Sequence, residues 1–63
     1  MSLFTKKQLE IANSLIQPKT LDELIQLHDL QKELLEKELE KLEKFNLIEK
    51  QGNTFVLKKN IAE

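Results

Sequence analysis

Leu30 to Ile48 reads LQKELLEKELEKLEKFNLI, and this stretch decides the fold. Leu35, Leu39 and Leu42 stand four and three apart, and Phe45 follows three further on. That spacing makes one apolar stripe on a helix of 3.6 residues per turn. Lys32, Glu33, Glu36, Lys37, Glu38, Glu40, Lys41, Glu43 and Lys44 solvate the rest of the cylinder, and all are strong helix formers. Asn46 comes directly after the last periodic residue, and Asn tolerates the left-handed backbone that ends helices. Leu47 and Ile48 open an apolar run too short for another helix.

Beyond this stretch, Ile48-Glu49-Lys50-Gln51 and Thr54-Phe55-Val56-Leu57-Lys58 flank Gly52-Asn53. The second run is β-branched and aromatic, with Phe55 and Leu57 on one face. A two-residue loop that starts with Gly signals a tight hairpin, here over about 47–58.

Before the stretch, Thr20-Leu21-Asp22-Glu23 is a capping box for a short helix over about 20–28, carrying Leu21, Leu24, Ile25 and Leu27 and ending near His28. Asp29 then reads as a cap for the third helix, over about 30–45. Propensity alone also permits one long helix from 20 to 45. That helix would leave Leu27, Leu30 and Leu34 as a second stripe in water, whereas a sharp turn at 28–30 lets both sets face one core. Thr5 to Gln8 forms another capping box, with Phe4 and Leu9 placed as a hydrophobic staple. The first helix runs over about 5–17, where Pro18 stops it. Leu9, Ala12 and Ile16 form its stripe, widened by Ile11 and Leu15. The expected core is Leu9, Ala12, Ile16, Leu21, Leu24, Ile25, Leu30, Leu35, Leu39, Leu42, Ile48, Phe55 and Leu57.

Sixty-three residues make one domain, expected over 1–63 and near the lower limit for folding alone. Without Cys, neither a disulfide framework nor a thiolate zinc site is available. No apolar run approaches the roughly 20 residues of a membrane span, and no signal-peptide pattern appears, so an intracellular, cytoplasmic protein is expected. The net charge of −1 hides a division. Residues 1–19 carry three Lys against one Glu, residues 20–49 four Lys against nine acids, and residues 50–63 three Lys against one Glu. All ten basic residues are Lys, so the side chain best shaped for guanine edges and phosphate clamps is absent.

Three helices followed by a hairpin, with these spacings, resemble the winged helix-turn-helix family from Thr20 to Leu57, and the first helix fits the remainder. Leu30 takes the apolar turn position, and Leu35, Leu39 and Leu42 fall five, nine and twelve residues beyond it, as in that family. Asn46 takes the small-residue place, and Leu47-Ile48 is the pair that opens the wing. Gln17 to Lys19 sits where the family often has a short strand completing the sheet. Asp29 stands where Gly is usual, and Gln31 where Ser or Thr normally caps the recognition helix. The resemblance implies a mainly α fold, a three-helix bundle with a two-stranded wing.

It also implies a small DNA-binding, transcription-regulator-like protein. The duplex contacts would come from Gln31, Lys32, Lys37 and Lys41 of the third helix and from Lys50, Gln51, Asn53, Lys58 and Lys59 of the wing. Against this, the third helix carries five Glu, and an acidic helix repels phosphate. Pairs four apart, Glu33–Lys37 and Glu40–Lys44, can neutralise one another. The alternative is a protein-interaction module that docks a protein partner, or a second copy as a homodimer, through Leu34, Glu33, Glu36 and Glu40, with Ile11 contributing if exposed. An enzyme is not expected. His28 is the single imidazole, placed favourably in a helix dipole, and the sole Gly lies in the hairpin turn. No cofactor, metal, membrane or small-molecule substrate is indicated.

Overall fold

Both predicted capping boxes form. The Thr5 hydroxyl accepts the Gln8 amide at 3.1 Å, and the Gln8 side-chain oxygen accepts the Thr5 amide at 2.9 Å. Thr20 and Glu23 repeat the exchange at 3.2 and 2.8 Å. Each box pairs two backbone donors that a helix start would otherwise leave open. They begin helices α1 (Lys6–Ser14) and α2 (Leu21–His28) of a computed structural model that describes residues 3–58.

Residues 20–45 form two helices. Asp29 adopts the left-handed conformation (φ 54°, ψ 47°) and ends α2, rather than capping the next helix as expected. Helix α3 (Lys32–Lys44) has Gln31 at its N-cap with no side-chain hydrogen bond. Asn46 is left-handed, as expected, at φ 64°.

Helix α1 departs most from the expectation. It ends at Ser14, well before Pro18. Its last turn tightens: the amides of Leu15 and Ile16 donate to Ala12 and Asn13 carbonyls, and the Ser14 hydroxyl donates to the Ile11 carbonyl at 2.6 Å. The Leu15 carbonyl, freed from the helix, accepts the Leu57 amide at 2.8 Å. The buried stripe is Gln8, Ile11, Ala12 and Leu15, spaced three, one and three. Leu9 and Ile16 lie outside it and are 44% and 71% exposed. The expected stripe was therefore rotated, because Leu9–Ala12–Ile16 and Ile11–Leu15 are nearly equivalent by period, and Gln8 conceals the true face. Ile11 is fully buried and cannot serve an interface.

Three strands complete the fold: β1 (Lys19–Thr20), β2 (Ile48–Gln51) and β3 (Thr54–Leu57), antiparallel in the order β1-β3-β2. The sheet is thus three-stranded, its third strand falling one residue past the Gln17–Lys19 expectation. Gly52 turns the hairpin at φ 64°, with a positive φ at the first central position alone, the pattern of a type II′ turn. A side chain there would meet nothing within 4 Å, so the backbone angle rather than space demands Gly.

Ile11, Ala12, Leu15, Leu24, Leu35, Leu39, Leu42, Ile48 and Phe55 form the core. Leu21, Ile25, Leu30 and Leu57 are half-buried at its margin. Phe4 packs edge-on to Phe45, with ring centroids 5.5 Å apart. Among the described residues, no helix is long and apolar enough to cross a membrane.

Candidate binding groove

Residues paired across a sheet project to the same face. The register Ile48↔Leu57 and Lys50↔Phe55 therefore places Lys50 beside buried Ile48 and Phe55, on the side packed against the helices. Its ammonium lies 5.8 Å from the centre of the Phe55 ring. Lys50, although exposed, thus lies on the helix-facing side of the hairpin and lines a groove between hairpin and α3.

That groove encloses about 310 Å³. Leu21, Leu39 and Phe55 supply its apolar lining, Lys50 and Asn53 its hairpin side, and Glu36, Glu40 and Glu43 its α3 side. The three glutamates recur at four and three residues, which sets them on one flank of α3. Among the described residues, the only ion pair within 4 Å is Lys7–Glu10, at 3.4 Å. The expected Glu33–Lys37 and Glu40–Lys44 pairs do not close. The groove carboxylates thus face solvent unneutralised, apart from Lys50 across the gap. Strung along two turns, about 10 Å, they make no cluster that could hold a metal ion.

The expected basic contacts do not converge in the same way. Lys41 lies on the opposite flank, donating to the Leu3 carbonyl at 3.1 Å and sitting 5.3 Å over the Phe4 ring. Lys58 donates to the Asn46 side-chain oxygen at 3.4 Å, and Gln51 to Glu49 at 2.5 Å. Gln31, Lys32 and Lys37 are exposed along α3, and Asn53 is exposed at the turn. Lys59 lies outside the described residues. Of the residues assigned to a protein interface, Glu36 and Glu40 share the groove, Glu33 is exposed, and Leu34 is 46% exposed. By the helical period, Leu34 falls on the flank away from the groove. Glu43 was not singled out, although its spacing from Glu36 and Glu40 carries the signal.

His28 stands apart from the groove. Its Nε2 lies 3.1 Å from the Ser14 hydroxyl. The single proton of that hydroxyl is committed to the Ile11 carbonyl, so Nε2 is the donor to Ser14. A serine nucleophile needs the reverse polarity, with its proton directed at the imidazole. Burial lowers the His28 pKa from its usual value, Lys7 nearby lowers it further, and Glu10 partly opposes them.

Compared with protein-family models, with curated proteins and with solved structures, the chain shows no match in any of the three.

Proposed function

We propose that the chain is a winged-helix interaction module whose groove between α3 and the hairpin receives a basic segment of a partner protein. One observation carries this reading: Glu36, Glu40 and Glu43 line a single groove wall above an apolar floor, with no ion pair among them. A lysine or arginine stem can lie along Leu39 and Phe55 while its charged head meets the carboxylates. The winged-helix assignment is supported by two helices, α2 and α3, flanking a left-handed turn and by a hairpin closed onto a short strand. A fold of this kind serves many functions, so the chemistry of the face decides between them.

The second reading is DNA binding, favoured by the exposure of Lys32 and Lys37 on a helix next to a hairpin. Phosphate contacts supply most non-specific affinity, and the groove acids oppose them. The test is an amide-resolved NMR titration run in parallel with a lysine-rich peptide and a random-sequence duplex, at low and moderate salt. The proposal expects peptide-induced shifts at Glu36, Glu40, Glu43, Lys50 and Phe55, with the duplex silent. Salt-sensitive shifts at α3 and the hairpin with duplex, and none with peptide, overturn it.

A further inference from the structure

The hairpin side of the groove ends at an open strand edge. β2 is the outer strand in the order β1-β3-β2. Opposed residues of an antiparallel pair alternate between hydrogen-bonded and non-bonded pairs. The Leu57 amide turns away from β2 to the Leu15 carbonyl, whereas the Lys58 amide reaches back to the Leu47 carbonyl. Ile48↔Leu57 and, two residues on, Lys50↔Phe55 are therefore the non-bonded pairs. Their β2 members direct N–H and C=O away from β3. Ile48 is buried there, but Lys50 is exposed. Among the described residues, no hydrogen bond reaches the Lys50 main chain.

This edge selects the conformation of a ligand. A helix bonds its interior N–H and C=O groups to itself and has none to offer Lys50. An extended chain carries both groups free and can add to a strand edge, its side chains alternating between the two faces. A residue set directly opposite Lys50 shares its face, where a second cation would be repelled. The residues two places to either side lie on that same face, about 13 Å apart. The wall from Glu36 to Glu43 runs about 10 Å, within reach of two lysine or arginine side chains so spaced.

We infer that the partner segment binds as a short extended strand on the Lys50 edge of β2, in the pattern basic–x–apolar–x–basic. The apolar residue takes the place opposite Lys50, on the groove side of the sheet, and the two basic residues meet the α3 carboxylates. This rests on the basic-segment reading of the same groove and adds the conformation and spacing of the ligand. A single exposed edge residue supplies one hydrogen-bonded pair, so charge provides much of the affinity and the main chain fixes the register.

Amide-resolved NMR titration with the end-blocked peptide KTVTK provides the test. The parent peptide is expected to bind in a salt-sensitive way and to slow hydrogen exchange at the Lys50 amide. Two further peptides carry backbone N-methyl groups, one on its Lys and Val residues, the other on its Thr residues. One set of amides faces β2 and the other faces away, whichever direction the segment runs. One methylated peptide is expected to lose about three- to tenfold in affinity, and the other to match the parent. Methylated peptides that bind alike overturn the inference, and parent binding then still upholds the basic-segment reading. A parent that fails where a lysine-rich peptide binds also overturns the inference alone. If neither binds, both readings fall.

Discussion

The Gln8 side-chain amide donates to the Glu38 carboxylate at 2.6 Å, joining the first turn of α1 to the middle of α3. The same amide's oxygen completes the α1 capping box. One buried polar side chain therefore starts a helix and fixes what that helix packs against. Gln8→Ala removes both functions. It is expected to destabilise the fold by about 2 kcal/mol, the sum of a cap and a charge-assisted hydrogen bond. Gln8→Glu, which sets two carboxylates together, should cost at least as much. Urea denaturation of both variants measures this.

Two substitutions at the α2–α3 turn should stabilise the protein. Gln31 occupies the α3 N-cap without a capping bond, so Gln31→Ser is expected to add about 0.5–1 kcal/mol. Asp29 holds a left-handed backbone that Gly adopts without strain, so Asp29→Gly is expected to raise stability by a few tenths to about 1 kcal/mol. Thermal melts of the single and double variants report both effects. A lower melting temperature for Gln31→Ser would contradict the cap geometry.

His28 makes stability depend on pH in a stated direction. Its folded pKa lies below the usual 6.5, so between that lowered value and 6.5 the unfolded chain binds the extra proton. The stability tied to neutral His28 is fully present above 6.5 and is lost as pH falls through this window. Glu10 favours the cation, but burial and Lys7 outweigh it. His28→Gln is expected to flatten the stability profile in this window, followed by denaturant midpoints at closely spaced pH values.

Lys50 separates the two functional readings by sign. If the groove receives a basic segment, Lys50 is its only internal cation, and Lys50→Ala should tighten peptide binding about two- to fivefold. If the hairpin grips DNA, the same change removes a phosphate contact and weakens binding. Calorimetric titration with peptide and duplex distinguishes the two outcomes.

Sequence alone carried the elements but not the orientation of every face. The capping boxes, the Leu35–Leu39–Leu42 stripe, the left-handed Asn46 and the Gly52 turn were legible because each is a local rule satisfied by adjacent residues. α1 was misjudged because its inner face depends on Gln8, a polar residue buried only through its bond to Glu38, thirty positions away. Its end was misplaced because the sheet, not Pro18, claims the Leu15 carbonyl. The groove was half legible: Glu36 and Glu40 stood out as acids on an exposed helix. That Lys50 shares a sheet face with Ile48 and Phe55 follows from strand register, which only the paired hairpin reveals.

β3 holds the middle of the sheet although it is the last strand in sequence, while β1 and β2 never touch. Every ladder hydrogen bond in the sheet therefore waits on residues 54–57. On a ribosome, the three helices can collapse together as they emerge, but the sheet forms only after its final strand has been made. Loss of the segment after the Gly52 turn would, by the same logic, leave neither remaining strand with a neighbour.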